Sequence, residues 1–196
     1  MGFASFEMLE KAFKRTEQPF RDMQCLTITV ESRALPLLVT HVKSIPCLLI
    51  SIEDGQIAPF PYLGSLENVK CFNLNFEEQR EWPSNGFSMI KCLKNLLLLH
   101  ITSSNHNTSL PALTDKEFGS AFENMSTLEG LTFDVQSNLS TAAIISLAVN
   151  CPNLRYCVMV GAYDLHNLQS IARPLFPGLW ELTLTRLIER EPESRY

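Results

Sequence analysis

One short arrangement of apolar residues returns along the whole chain, and it narrows the folds open to it. In Cys151-Pro-Asn-Leu154-Arg-Tyr-Cys157-Val-Met159 the apolar residues stand at the first, fourth, seventh and ninth places. The same frame holds Phe20, Met23, Leu26 and Ile28, then Val42, Ile45, Leu48 and Ile50, then Leu66, Val69, Phe72 and Leu74. It holds Leu93, Leu96, Leu99 and Ile101, then Met125, Leu128, Leu131 and Phe133, and finally Phe176, Leu179, Leu182 and Leu184. All 28 positions of the seven copies are apolar, where a chain that is 45% hydrophobic would fill about 13 by chance. Third-column residues follow one another at steps of 22, 24, 27, 32, 26 and 25, a mean of 26. A fixed period of this size marks stacked repeats, in which each unit buries its apolar face only against its neighbours. The 32-residue step holds a polar insertion, Thr102 to Thr108.

The last two frame positions, with one residue between them, predict a short strand whose alternate side chains point inward. Helical segments are predicted between strands. Thr114-Asp-Lys-Glu117 is a capping box that opens a helix running to about Asn124. Leu139 to Asn150 ends before Pro152, which cannot continue a helix. Ser84 to Lys94 and His166 to Ile171 read likewise, and Pro36 limits the helix of the first unit to a few turns at most. Leucine-rich repeats have this period, roughly 20–29 residues. The expected fold is therefore α/β: a leucine-rich-repeat solenoid, or horseshoe, with about seven parallel strands and helices on its convex side. Residues 1–19 are expected to form a capping helix, because Phe6, Leu9 and Phe13 fall at helical spacing. Residues 20–188 are expected to form the repeat domain, and the charged tail 189–196 to be disordered. Asp54 to Pro61 and Glu77 to Gly86 read as turn-rich insertions, the second with a solvated acidic run and with Trp82 packing locally on a loop.

Composition narrows the function classes. A formal net charge of -5, from 16 Lys and Arg against 21 Asp and Glu, without a basic block, argues against a nucleic-acid binder. The most apolar block, Ala142 to Val149, is far shorter than a bilayer span, so no membrane partner is expected. Glu7, Glu10, Lys11 and Lys14 interrupt the start, so it does not read as a signal peptide, and Phe6 stands where a myristoylation motif wants Ser or Thr. Six cysteines without a signal segment read as reduced thiols in the cytoplasm or nucleus, where glycosylation patterns at Asn107, Asn124 and Asn138 would be inert. No CxxC pair is present, and no metal or other cofactor is expected.

Four stretches carry a family resemblance. Cys151-Pro-Asn-Leu154, after the helix end Ser146 to Asn150, resembles the cysteine-containing leucine-rich repeats of F-box proteins. Phe20-Arg-Asp-Met-Gln-Cys-Leu-Thr-Ile, Leu128-Glu-Gly-Leu131 and Phe176-Pro-Gly-Leu179-Trp-Glu-Leu182 look like the fungal F-box/leucine-rich-repeat proteins. The resemblance spans about residues 20–187. It implies substrate recognition for a cullin-based ubiquitin ligase, with the repeats holding the protein target and an F-box docking a Skp-type adaptor. The chain departs from that pattern. No Leu-Pro-x-Glu opening of an F-box stands near the N-terminus, so adaptor docking is not expected. The usual Asn or Cys after each strand is replaced by Glu31, Glu53, Glu77, Ser104, Gln136, Ala162 and Leu187. Two readings stay open: a recognition module related to those adaptors, or a non-ligase scaffold or truncated regulator competing with a full-length relative.

Strand residues between the buried ones should form three lanes on the inner, concave face. The first is Cys25, Cys47, Cys71, Leu98, Gly130, Tyr156 and Glu181; the second is Thr27, Leu49, Asn73, His100, Thr132, Val158 and Thr183. The third is Thr29, Ser51, Asn75, Thr102, Asp134, Val160 and Thr185. Seven strands about 4.8 Å apart make a face roughly 30 Å long, enough for a peptide or a protein edge. Asn73, His100, Asp134, Tyr156, Val158 and Glu181 are the candidate protein contacts, weighed against the plainer reading of solvated strand residues. Cys25, Cys47 and Cys71 share a lane but suggest no fourth ligand, and read as small hydrophobes on a packed sheet. No phosphate-binding loop, zinc-protease motif or nucleophile elbow occurs, so no enzyme is expected. A His100–Asp134 pair has no nucleophile beside it.

Overall fold

The computed structural model describes residues 3–14, 19–78, 81–104, 108–123, 125–163, 168 and 174–187. Every copy of the frame opens with the same turn. The N–H of its fourth residue donates to the carbonyl of its first in Met23–Phe20, Ile45–Val42, Val69–Leu66, Leu96–Leu93, Leu128–Met125, Leu154–Cys151 and Leu179–Phe176, at 3.0 to 3.4 Å. An i→i+3 bond folds both residues to one side. That geometry is why the spacing is three before the strand and two within it.

In chain order the elements are β1 (Phe3–Ala4), α1 (Phe6–Phe13), β2 (Cys25–Val30), α2 (Leu35–His41), β3 (Cys47–Ile52) and β4 (Cys71–Phe76). Then come β5 (Leu98–Ser103), β6 (Ser109–Leu110), α3 (Asp115–Ala121), β7 (Gly130–Asp134), β8 (Gln136–Ser137), α4 (Thr141–Asn150), β9 (Tyr156–Tyr163) and β10 (Glu181–Leu187). Eight strands form one open sheet in the order β1-β2-β3-β4-β5-β7-β9-β10, every pair parallel. It does not close into a barrel; β1 and β10 are its two edges. One carbonyl before each of β3, β4, β5, β7 and β9 accepts two N–H groups from the next unit: Pro46 from Lys70 and Cys71, Lys70 from Leu97 and Leu98, Leu97 from Glu129 and Gly130, at 2.7 to 3.0 Å. Glu129 and Arg155 continue the series.

The turn also carries a side-chain ladder. Its third residue reaches back to a main-chain carbonyl of the preceding turn: Asn68 Nδ2 to Lys43 O, Asn95 Nδ2 to Glu67 O at 3.0 Å, Thr127 Oγ1 to Lys94 O, and Asn153 Nδ2 to Ser126 O at 2.7 Å. Turn carbonyls have no strand to bond with, so these side chains satisfy them.

The helical segments lie against one another in chain order and share one core with the inward strand residues. Between β3 and β4, and between β4 and β5, the connection is 3₁₀ rather than α: Phe60–Ser65 and Phe87–Cys92. Gly86 leads into the second with φ 76°, and an added Cβ there would meet Pro61 Cγ at 2.8 Å, so only glycine fits without strain. Phe60, Phe87 and Phe118 come from successive connections and stack under the sheet. Ring centroids lie 4.9 Å apart for Phe60–Phe87 and 6.1 Å for Phe87–Phe118, with Phe133 of β7 edge-on to Phe118 at 5.5 Å. Such pairs add about 0.5–1.5 kcal/mol each beyond their buried area.

Several expectations are met and several are corrected. Thr114 caps α3 by accepting from Glu117 N at 3.2 Å, and Ser140 caps α4. The predicted N-terminal helix is α1, with Leu9 and Phe13 buried, but β1 precedes it and adds an eighth strand. Its pairing, Phe3 with Thr29 and Ala4 with Val30, is two residues long and leaves no hydrophobic period to read. The helix expected over Ser84 to Lys94 is the shorter 3₁₀ segment. The Thr102–Thr108 insertion ends in β6, which pairs β8 in a separate two-stranded parallel sheet and bridges to Glu81. Trp82 lies on a loop, as expected, but does not pack locally. It is 1% exposed and tilted on Phe76 at 4.4 Å, with its main-chain N–H donating to Ser109 O. Glu77, expected in a solvated run, is half-buried and accepts from Asn75 at 2.8 Å and Ser104 at 2.9 Å. Helix His166–Ile171 and tail 189–196 lie outside the described residues, Leu168 excepted.

Candidate functional site

The open face of the sheet is built by register. Cys25, Cys47, Cys71, Leu98, Gly130, Tyr156 and Glu181 are Cα partners strand after strand. Thr27, Leu49, Asn73, His100, Thr132, Val158 and Thr183 form the next row. Thr29, Ser51, Asn75, Thr102 and Asp134 form a third, continued by the Val160–Thr185 pair. Parallel pairing without slips across β2 to β7 puts equal strand positions side by side, because a one-residue slip would turn the buried set outward.

Each candidate contact has a defined place. Asn73 on β4 and His100 on β5 are in register and half-buried. With Leu49, Cys71 and Leu98 they line a hollow of about 190 Å³ on the face. His100 Nδ1 meets Thr132 Oγ1 at 2.9 Å, its partner in the same row, and not Asp134. Burial holds the imidazole below its ordinary value. Asp134 is half-buried at the end of β7. Tyr156 and Val158 are half-buried on β9, and Glu181 is exposed at the start of β10. Asn73 and His100 therefore share one hollow, while Tyr156, Val158 and Glu181 lie two to three strands further along.

Leu98 joins the two groups, and its selection from sequence was missed. It is 38% exposed. A Cβ on Gly130, between it and Tyr156, would sit 2.7 Å from Leu98 Cδ2 and 3.8 Å from Tyr156 Cδ1. The absent side chain at Gly130 thus lets Leu98 and Tyr156 close over one spot. The signal was the run Leu96-Leu97-Leu98-Leu99, too apolar for a strand with one wet face. A second missed element is the network around Asn75. Its Nδ2 donates to Glu77 Oε1 and Ser104 Oγ, both at 2.8 Å, and its Oδ1 accepts from Thr102 at 3.1 Å.

The three rows hold Asp134 and Glu181 and no Lys or Arg. Such a face repels a polyphosphate and favours a neutral or basic segment. Cys25, Cys47 and Cys71 are not packed away: Cys25 is exposed and the other two are half-buried. Cys151 and Cys157 point the other way, and burial pushes both thiols up to about 12. Among the described residues, no group of three or more His, Cys, Asp or Glu is arranged to hold a metal ion, and no helix is long and apolar enough to cross a membrane. Beside β6 and β8 a second hollow of about 310 Å³ is lined by Ser109, Gln136, Asn138 and Gly161. Compared with protein-family models, curated proteins and solved structures, the chain matches none.

Proposed function

We propose that the chain is a leucine-rich-repeat solenoid whose sheet face binds an extended segment of another protein, as the substrate-recognition half of an F-box adaptor does. The observation that carries the reading is the register of the first two rows, unbroken from β2 to β10. It presents a continuous face with an apolar centre, Leu49, Leu98 and Tyr156, flanked by the hydrogen-bonding groups of Asn73 and His100. A central anchor in a polar surround is how protein interfaces concentrate affinity. The rows carry Asp134 and Glu181 but no Lys or Arg, so the bound segment is neutral or basic.

Affinity purification of the intact chain beside Tyr156→Ala tests this. The partner set should shrink or disappear for the variant, while the melting temperature falls by only a few degrees. An unchanged partner set rejects the face as the binding surface; a collapse in melting temperature places Tyr156 in the core. Pull-down with a Skp-type adaptor separates the ligase reading from that of a non-ligase scaffold: retention supports the first and absence the second.

A further inference from the structure

The first row of the face begins with three cysteines on three adjacent strands. Cys25 on β2 is the Cα partner of Cys47 on β3, which is the partner of Cys71 on β4. Neighbouring parallel strands lie about 4.8 Å apart, inside the Cα separation of roughly 4.4–6.8 Å that a disulfide spans. The side chains already converge: Cys25 Sγ donates to Cys47 Sγ at 3.3 Å. Cys25 is exposed, so a dissolved oxidant reaches it, while Cys47 is half-buried between its two neighbours. Cys151 and Cys157 are buried on the core side of the sheet.

We infer that Cys25 and Cys47 form a peroxide-sensitive dithiol on the open face, closing reversibly to a disulfide between β2 and β3. The inference does not depend on the protein-binding reading. In the first step the Cys25 thiol takes an oxygen atom from hydrogen peroxide, giving a sulfenic acid and one water. In the second, the Cys47 sulfur attacks the Cys25 sulfur, the S–O bond breaks, and the hydroxyl leaves with the Cys47 proton as a second water. Two thiols are oxidised by two electrons in all, and one peroxide is reduced to two waters. Burial, together with the Cys25 contact, pushes the Cys47 thiol up to about 11, so the exposed Cys25 is the sulfur that meets the oxidant first. Strand pairing holds the two sulfurs in place, so the bridge needs only side-chain rotation.

The experiment uses the full chain, reduced, exposed to hydrogen peroxide, blocked with N-ethylmaleimide and digested with trypsin. The expected product is lighter by two hydrogens and links the peptide carrying Cys25 to the peptide carrying Cys47. Dithiothreitol should restore both thiols. Cys71→Ser should keep the link, and Cys25→Ser and Cys47→Ser should each lose it. Circular dichroism of each variant confirms that it is folded. The inference is overturned if both thiols are recovered blocked and unlinked, if Cys25 proceeds to sulfinic acid, if the bridge joins Cys47 to Cys71, or if linkage occurs only between two chains.

Discussion

The five inner repeats and the two outer ones share one sequence frame but not one environment. From Val42 to Met159 all twenty frame positions are buried, most with no exposed area at all. In the first copy Met23 is 38% exposed, and Phe20, Leu26 and Ile28 are only partly covered. In the last copy Leu182 is 45% exposed, and Phe176, Leu179 and Leu184 are half-buried. The residue types are alike, so the difference comes from the neighbours. An inner strand is flanked by a strand and a helical segment on each side, whereas an outer one has full cover on one side. Burial in this fold belongs to the stack, and each repeat lends it to the next.

Mutation can break or sharpen that comparison. The largest effect is expected for Leu131→Asp, which places an unpaired charge at a site with no exposure, within the stack of β5, β7 and β9. Loss of the cooperative unfolding transition by circular dichroism is the expected outcome; a variant that melts like the parent places Leu131 outside the core. Next comes a matched pair. Leu74→Ala in the inner stack should cost about 2–5 kcal/mol in urea unfolding, and Leu182→Ala at the edge less than about 1 kcal/mol. Equal losses would show that the outer repeat is packed as fully as the inner ones. Asn95→Ala removes the side-chain bond from one turn to the preceding one and should cost about 0.5–1.5 kcal/mol, read the same way.

The smallest effect concerns pH. Burial keeps the His100 imidazole below its ordinary value, so the folded chain binds that proton less readily than the unfolded chain. The stability this represents is present above the unfolded pKa of about 6.5 and is lost as pH falls through the folded value. The drop in melting temperature between about pH 7.5 and about pH 5.5 should therefore be smaller in His100→Gln than in the parent. An equal or larger drop would show that the ring is freely solvated.

What was legible in the sequence follows from the physics that wrote it. The frame and the face rows could be read because one turn and a period of two place side chains independently of distant contacts. The row order then emerged from pairing as written, Cys25 to Glu181. The Asn68, Asn95 and Asn153 column was visible in the same turn, yet its meaning depends on which carbonyl lies behind it. β1, β6 and β8 were not legible. Strands of two residues have no alternation, and only the surrounding chain brings them together. The packing of Trp82 was not legible, because Pro83 and the acidic run around it suggest a wet loop, whereas from that loop the indole fills space beside Phe76. The His100–Asp134 pairing failed for a simpler reason: lateral neighbours in a parallel sheet are those in the same row, and there His100 finds Thr132.

The edge strand β10 meets only β9, and every strand inward of it as far as β2 has one neighbour on the side away from that edge. A pull on the C-terminal end therefore loads one ladder at a time. Each ladder that gives way frees a repeat of about 26 residues, roughly 90 Å of extended chain. Under tension the molecule yields as a train of small, evenly spaced ruptures, with the unpulled remainder still standing.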